Sequence, residues 1–230
     1  RADAMAAKRA RHCKRVISFG LNAPAENHYG LRIEDGETYL ARGESLLISV
    51  RDLPMYGFHN QLNALAALAA GELVGLDMSA MLQVLAEFPG LPHRMQFVAR
   101  VGAVDYVNDS KATNVAAAVA SINSVEGMLV LIAGGDGKGG DFRELAEALE
   151  GKLRGAVLIG KDAEKIAAAL NTAMPVTFPN DMREAVKMAA SYAEPGDTVL
   201  LAPACASLDQ YDNYMARGDA FCTAARGLKR

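Results

Sequence analysis

The chain has only three cysteines and no tryptophan among its 230 residues. Cys13, Cys205 and Cys222 cannot all pair with one another, and no C-x-x-C spacing occurs. This usage excludes a disulfide framework, so we expect reduced thiols and a cytoplasmic location. Because the four histidines are scattered as well, we expect no metal site within the chain.

Long apolar runs and an excess of basic charge are also missing. The longest apolar stretches, such as residues 62–70, are too short to cross a bilayer. The formal net charge of -3 gives no sign of bulk nucleic-acid binding. With 51% hydrophobic and 22% charged residues, the chain is predicted to be globular. We therefore expect no nucleic-acid binding and no membrane span. We also expect a monomer.

The first 90 residues carry short strand and helix patterns. They predict a helix, a strand, a hairpin that turns at Asp35-Gly36, a further strand and two helices, over residues 2–12, 15–20, 29–42, 45–50, 58–76 and 77–88. The Pro89-Gly90 pair is the clearest break in the chain, and we place a domain boundary there.

Residues 91–230 alternate between apolar strands and amphipathic helices after a hairpin that turns at Gly102-Ala103. The strands are expected at 96–101, 104–109, 128–134, 155–160, 175–178 and 197–203, and the helices at 113–124, 141–151, 162–170, 181–193 and from 207. Continuous apolar strands separated by helices predict a Rossmann-like α/β fold whose mostly parallel sheet is covered on both faces. Ligands bind such sheets outside the carboxyl ends of the strands.

Three of these strand ends carry more polar chemistry than a turn requires. They are NDSKATN at 108–114, GGDGKGGD at 134–141 and PACASLDQ at 203–210. The expected N-caps of the helices that follow are Thr113, Asp141 and Ser207, the last two in capping-box spacing. Helix N-termini together with Lys111 and Lys138 predict a ligand with more than one carboxylate or phosphate. The plainer alternative is that the loops are capped turns with solvated lysines.

The glycines of the second loop leave another reading open. Gly135, Gly137 and Gly140 satisfy G-x-G-x-x-G between a strand and a helix, and Asp162 follows at the distance of a ribose-binding carboxylate. This pattern supports a dinucleotide-binding alternative, although a lysine inside the loop is atypical of it. Lys138 is followed by glycine, so the loop is not a Walker A loop.

Cys205, with no histidine nearby in sequence, is interpreted as a small packing residue.

Two features flank the expected domain boundary. Asn60 and Asn63 are spaced to share one helical face, and asparagine amides match the donor–acceptor edge of adenine. Alternatively, Asn60 only caps the helix. Arg94, just after the boundary, is either a surface charge or a phosphate ligand.

Taken in order and spacing, HNxxNALAA, GLPHR, NDSKATN, GGDGK and PACASLDQ resemble the Mur ligase family over essentially the whole chain. The resemblance is strongest to those members that add D-glutamate to UDP-N-acetylmuramoyl-L-alanine in peptidoglycan synthesis. It implies an ATP-dependent ligase that forms an acyl phosphate, which the amine of D-glutamate then attacks. It also implies Mg²⁺ as a cofactor.

The resemblance also implies roles for individual residues. Asn60 and Asn63 correspond to adenine contacts, Arg94 to an ATP-phosphate contact and Asp109 to a ribose contact. Lys111 resembles the catalytic lysine between the γ-phosphate and the incoming amino acid. The residues that resemble the D-glutamate site are Thr113, Lys138, Ser207, Leu208 (through its backbone) and Tyr214. Tyr214 stands where the family often has phenylalanine.

One departure from the family is large, because the chain contains no G-x-x-x-x-G-K-[ST]. The family's uridine-nucleotide domain, Walker A loop, carbamylated lysine and Mg²⁺ ligands are expected upstream. We therefore interpret residues 1–90 as the rear part of the central ATP-binding domain and residues 91–230 as the complete C-terminal amino-acid-binding domain. A fragment of this kind is expected to lack turnover alone. A dinucleotide-binding oxidoreductase domain and a non-catalytic ligand-binding module stay open as alternatives.

Overall fold

The computed structural model describes residues 13, 15–55 and 57–228. The chain divides into two compact units. Unit 1 comprises Arg1–Pro54 and Phe58–Pro89, and unit 2 comprises Met55–Gly57 and Gly90–Arg230. The helix expected over 2–12 lies outside the described residues.

Unit 1 combines an antiparallel sheet with two helices. The strands are β1 (Tyr29–Glu34), β2 (Glu37–Arg42) and β3 (Ser45–Ser49), in that spatial order, and a short 3₁₀ helix follows at Val50–Asp52. The helices are α1 (Phe58–Leu73) and α2 (Met78–Glu87). The predicted hairpin is confirmed, because Asp35 and Gly36 both adopt the positive φ that a tight hairpin turn requires. The strand expected over 15–20 was wrong: Phe19 forms only an isolated bridge.

One partly buried ion-pair network joins α1 to the sheet of unit 1. The Glu72 carboxylate accepts hydrogen bonds from Arg42 Nε and Nη2, both at 2.7 Å, and from Tyr29 Oη at 2.5 Å. The hydrogen bonds from Arg42 lower the pKa of Glu72 to about 2, against the effect of its burial. Burial and the neighbouring carboxylate raise the pKa of Tyr29 to about 12. The carboxylate is therefore ionised at neutral pH.

Unit 2 is a six-stranded sheet with helices on both faces. Its strands are β4 (Gln96–Val101), β5 (Val104–Asn108), β6 (Leu129–Gly134), β7 (Leu153–Ile159), β8 (Val176–Thr177) and β9 (Thr198–Leu201). Its helices are α3 (Val115–Ser124), α4 (Arg143–Leu149), α5 (Ala163–Leu170), α6 (Met182–Tyr192) and α7 (Tyr214–Arg226). The spatial order is β4-β5-β9-β6-β7-β8, and every pairing except the β4–β5 hairpin is parallel.

The apolar strands bury both of their faces, which explains why they read as continuous hydrophobic runs. Leu131 and Leu200 pack in the cluster that includes α3, α4 and α5. Val130 and Val199, each one residue earlier on the same strands, pack in the cluster that includes α6 and α7. Successive side chains of a strand point to opposite faces, so both sets must be apolar. The predicted fold class is confirmed.

The structure corrects the three N-caps that the sequence predicts, at Thr113, Asp141 and Ser207. Asn114, not Thr113, caps α3, because its side chain accepts from the backbone N–H of Ala117 at 2.9 Å. Helix α4 begins at Arg143 without a side-chain cap, and the Asp141 carboxylate binds Arg143 instead. In the first case a neighbouring residue replaces the expected cap, and in the second the expected cap binds the backbone and side chain of Arg143 without capping the helix.

The third correction concerns the last helix, which begins at Tyr214 rather than near Ser207. The Ser207 carbonyl accepts from the backbone N–H groups of Gln210 and Tyr211, which closes a turn and not a helix. Asn213 caps α7 by accepting from the N–H of Ala216 at 2.9 Å. The loop after β9 is consequently longer than the sequence predicts.

Candidate functional site

Three polar loops lie next to one another at the carboxyl edge of the unit 2 sheet, because β9 lies between β5 and β6. We call the loops after these three strands the rim. Their backbones are joined by hydrogen bonds from Ala204 N to Ala112 O at 2.9 Å and from Gly134 N to Pro203 O at 2.8 Å. Asp136 and Ala206 exchange two more, at 2.9 and 3.0 Å. The loops that carry Lys111, Lys138 and Ser207 thus form one hydrogen-bonded framework.

Glycines of the second loop allow this close approach between loops. Gly134 and Gly135 have φ values of 120° and 126°, which side chains rarely adopt. A Cβ atom at Gly134 would overlap the carbonyl oxygen of Ile159, and one at Gly135 would overlap that of Ala206. The neighbour that these glycines accommodate is the protein's own backbone, so the glycine pattern does not require a dinucleotide.

The position of Lys138 is set by two carboxylates. Asp136 accepts from the backbone N–H of Lys138 at 2.9 Å, and the buried Asp162 accepts from the N–H of Gly137 at 2.8 Å. Lys138 itself has a φ of 50° and is exposed. The hydrogen bond from Lys165, and then that from Gly137, lower the pKa of Asp162. Asp162, the ribose ligand of the dinucleotide alternative, is thus engaged within the protein.

Lys111 lies at the first loop, over the ring of Tyr214. Its Nζ is 4.2 Å from the ring centroid. The ring of His93 meets that of Tyr214 edge-on, with centroids 6.0 Å apart and planes at 84°. The Tyr214 carbonyl accepts from Ser110 Oγ at 2.7 Å, which ties the start of α7 to the Lys111 loop. These contacts bring together two residues that lie far apart in the sequence.

Asp109 is buried and oriented by protein hydrogen bonds. Its Oδ1 accepts from the backbone N–H of Met95 at 3.3 Å, and its Oδ2 accepts from Ser121 Oγ. Arg94, next to Met95, is exposed to solvent. A carboxylate held in this way presents a defined acceptor edge.

The remaining predicted D-glutamate residues lie on two of the rim loops. Thr113 is half-buried in the first loop, and its hydroxyl is not the cap of α3. Ser207 is buried, whereas Leu208 beside it is 69% exposed. Cys205, in the same loop, is buried in the core, and burial raises the pKa of its thiol to about 12. A thiol with so high a pKa is not a nucleophile at neutral pH, in agreement with its interpretation as a packing residue.

Arg217, on α7, contacts the rim and was missed by sequence reasoning. It is 1% exposed, and its guanidinium donates to Ser110 Oγ at 3.0 Å and Ser110 O at 2.9 Å. It also donates to Cys205 O at 3.1 Å and to Gly134 O at 3.4 Å. Burial lowers the pKa of Arg217 to about 10. The signal was present, because Arg217 shares a helical face with the apolar Phe221, four residues later.

The adenine-site candidates belong to unit 1. Asn60 and Asn63 lie in the first turns of α1, and Asn63 Nδ2 is 3.5 Å from Asn60 Oδ1. The predicted shared face is confirmed. Asn60 lies inside α1, which begins at Phe58, so its alternative reading as the helix cap was wrong.

The part of the chain that the structure describes contains neither a metal-binding cluster nor a membrane-spanning helix. Within it, no group of three or more His, Cys, Asp or Glu side chains could hold a metal ion. Over the same residues, no helix combines the length and apolar character needed to cross a membrane.

Comparison with known proteins identifies relatives of both units. Residues 93–205 match the family model described as "Mur ligase, glutamate ligase domain". The UDP-N-acetylmuramoylalanine–D-glutamate ligase of Legionella pneumophila strain Paris is 47% identical over 218 residues, which is 93% of this chain and 49% of that protein. The Pseudomonas syringae pv. syringae ligase of the same name is 51% identical over 215 residues, 92% of this chain and 48% of that protein. The chain spans about half the length of these curated relatives.

Solved structures share the fold at low sequence identity. The UDP-N-acetylmuramate-alanine ligase of Thermotoga maritima has a TM-score of 0.59 at 18% identity, over 87% of this chain and 46% of that one. The folylpolyglutamate synthase of Mycobacterium tuberculosis, complexed with ADP, has a TM-score of 0.61 at 21% identity, over 87% of this chain and 48% of that one. These likenesses show a shared fold, and the sequence matches show the family: the chain belongs to the Mur ligase family.

Proposed function

We propose that this chain is part of an ATP-dependent ligase that adds D-glutamate to UDP-N-acetylmuramoyl-L-alanine in peptidoglycan synthesis. The observation that carries the proposal is the identity of 47–51% with ligases of that name, over 90–98% of the chain. The matches run through both units, so they include the rim loops and the start of α1. We further propose a monomer in the cytoplasm.

The rim has the electrostatic character that D-glutamate requires. The amino acid carries two carboxylates at neutral pH. Among the described residues, neither Lys111 nor Lys138 has a carboxylate within ion-pair distance, so both ammonium groups keep their net charge. We assign the D-glutamate carboxylates to Lys138, Thr113, Ser207 and the backbone of Leu208, with Tyr214 beside them. Charge-assisted hydrogen bonds of this kind are the strong ones.

The proposed chemistry divides amide formation into two steps. The muramoyl-alanine carboxylate attacks the γ-phosphorus of ATP, which forms an acyl phosphate and releases ADP. The amine of D-glutamate then attacks the acyl carbon, and the resulting tetrahedral intermediate expels phosphate. Lys111 is proposed to lie between the phosphoryl group and the amine and to neutralise the charge that develops on the oxygens.

ATP and its metal require residues other than those assigned to D-glutamate. Asn60 and Asn63 of unit 1 are proposed to contact adenine, while Arg94 and Asp109 of unit 2 are proposed to contact phosphate and ribose. Mg²⁺ supplies charge neutralisation at transferring phosphates. The described residues offer no cluster that fits this ion. We assign its ligands, together with the Walker A loop, to a region of the ligase upstream of this chain.

The same reasoning assigns the two units. Residues 1–90 are proposed to belong to the rear part of the central ATP-binding domain, and residues 91–230 to the amino-acid-binding domain. The alternative of a dinucleotide-binding oxidoreductase has less support, because the first glycine of its motif, Gly135, accommodates the carbonyl of Ala206, and the second, Gly137, accommodates the ring of Phe142. A titration with NADH distinguishes the two, since only the oxidoreductase predicts saturable enhancement of NADH fluorescence.

The test is D-glutamate binding to the 230-residue chain, measured by isothermal titration or by ligand-observed NMR. We expect weak, saturable binding that Lys138→Ala lowers by about tenfold or more, because a charge-assisted hydrogen bond contributes about 1.5–3 kcal/mol. Lys187→Ala, an exposed lysine on α6, is the matched control and should bind as the wild type does.

Two results would contradict the proposal. One is binding of D-glutamate that Lys138→Ala leaves unchanged, which would remove the lysine from the site. The other is a longer protein, with the upstream half of the ligase restored, that binds all three substrates but releases no phosphate. Phosphate release in the presence of ATP, D-glutamate and UDP-N-acetylmuramoyl-L-alanine is expected from the longer protein and not from this chain. Binding without phosphate release would favour a non-catalytic module.

A further inference from the structure

The lysines at the carboxyl edge of the unit 2 sheet are held in two different ways. Lys161 Nζ lies 3.3 Å from the Asp136 carboxylate, and Lys165 Nζ lies 2.6 Å from the Asp162 carboxylate. An ion pair of this kind cancels most of the net charge that the lysine presents to a ligand. Lys111, in contrast, rests on the face of the Tyr214 ring, 4.2 Å from its centroid.

A ring face attracts an ammonium group without neutralising it. The attraction comes from the ring quadrupole, and the tyrosine stays uncharged. The side chain of Lys111 therefore gains a preferred position while its whole positive charge remains available to an anion. A carboxylate in the same place would hold the lysine more firmly, but it would repel an incoming carboxylate or phosphate.

Tyr214 is itself fixed in relation to the Lys111 loop. Its carbonyl oxygen accepts the Ser110 hydroxyl at 2.7 Å, one residue before Lys111. Asn213 caps the helix that Tyr214 begins, and the buried His93 contacts the ring edge-on. The hydrogen bond from Ser110 and the cap by Asn213 fix the backbone from which the ring projects, and the edge-on contact with His93 limits the rotation of the ring itself.

We propose that Tyr214 is a positioning residue for Lys111, which it holds over its ring as an uncompensated positive charge directed at the anionic ligand of the rim. This inference rests on the proposed function for the identity of that ligand, D-glutamate or a phosphoryl group. It changes the role that family resemblance implies for Tyr214, because the ring acts through the lysine. Since the ring face makes the contact, the hydroxyl is dispensable for it.

The first experiment tests the contact itself, without any ligand. The Hε resonances of Lys111, assigned in ¹H–¹³C spectra with Lys111→Arg, should be shifted upfield by the ring current of Tyr214. We expect Tyr214→Phe to keep this shift and Tyr214→Leu to abolish it. Phe178→Leu, which removes an exposed aromatic ring elsewhere in unit 2, should leave it unchanged. Lys111 resonances at ordinary positions in the wild-type chain would overturn the proposal, even if a variant failed to fold.

The second experiment tests what the contact does for the ligand. D-glutamate affinity should fall by about two- to fivefold in Tyr214→Leu, as expected for an exposed cation–π contact, and stay near the wild-type value in Tyr214→Phe. Equal affinity of the wild type and Tyr214→Leu would overturn the positioning role and leave the proposed function standing. A wild-type chain that binds no D-glutamate would instead contradict the proposed function, while the resonance shift still decides whether Tyr214 holds Lys111.

Discussion

Replacing Arg217 with methionine is expected to destabilise unit 2 and loosen the rim. The guanidinium lies beneath the three loops and donates to groups at the ends of β5, β6 and β9. No other described side chain touches all three strand ends through hydrogen bonds. Methionine fills much of the same volume but leaves the carbonyl oxygens of Ser110, Cys205 and Gly134 without this donor.

The magnitude follows from two opposing effects. Three of the four hydrogen bonds are 3.1 Å or shorter, and bonds to charged groups contribute about 1.5–3 kcal/mol each. Against this, burial lowers the pKa of Arg217 to about 10, which corresponds to a cost of about 3 kcal/mol for keeping the side chain charged at pH 7. Methionine removes that cost. We therefore expect a net loss of about 1.5–6 kcal/mol in the free energy of unfolding of unit 2.

The Arg217→Lys variant separates charge from geometry. Lysine keeps the charge, but a single ammonium cannot reach acceptors at three strand ends as the planar guanidinium does. If the geometry of the guanidinium hydrogen bonds matters, Arg217→Lys should lower the free energy of unfolding as much as Arg217→Met does. If only the charge matters, lysine should restore stability.

Two measurements test this prediction. Urea unfolding gives the stability, and hydrogen exchange gives the exchange rates of peptides from each unit separately. Faster exchange is expected in the rim loops, while the unit 1 hairpin should exchange as in the wild type. Arg183→Met, on the exposed face of α6, is the control. An Arg217→Met chain with wild-type stability and wild-type exchange at the rim would refute the reasoning.

Two further predictions concern local interactions. Glu72 has a folded-state pKa of about 2, below its ordinary value, so its contribution to stability is present above about pH 4.5 and is lost as the pH falls toward 2. Glu72→Gln should lower the unfolding free energy of unit 1 by about 3 kcal/mol at pH 7, and acid unfolding curves of the two chains should converge near pH 2. Asn114→Ala should cost about 1 kcal/mol in urea unfolding, as loss of a helix cap does, whereas Thr113→Ala should leave stability nearly unchanged and weaken D-glutamate binding. A stability loss in Thr113→Ala as large as that in Asn114→Ala would contradict the assignment of the cap.

The fold of unit 2 was predictable because the apolar sequence of its strands indicates that both of their faces are buried. Residues 129–134 are apolar at every position, and in the structure all six are buried. Such a run fits only a strand covered on both sides, which in turn predicts a parallel sheet with crossover helices. Strand boundaries were less accurate: β8, at one edge of the sheet, spans only Val176–Thr177.

Helix starts were the weakest predictions, since capping depends on which of several polar side chains reaches an amide. In NDSKATN both Thr113 and Asn114 have the chemistry of a cap, and backbone geometry selects Asn114. Ser207 has the spacing of a capping box, yet its carbonyl closes a turn and α7 starts only at Tyr214. Spacing alone does not distinguish these outcomes, because they depend on where the loop is held by its neighbours.

The sequence by itself determined the fold class, the position of the polar loops on strand ends and the family to which the chain belongs. These follow from local patterns: apolar runs, turn residues and short motifs. Only the tertiary structure decided that β9 separates β5 from β6, that Arg217 joins the three strand ends and that Tyr214 supports Lys111. Each of these contacts joins residues distant along the chain, and the order of strands in a sheet depends on packing of the whole unit, which no local pattern encodes.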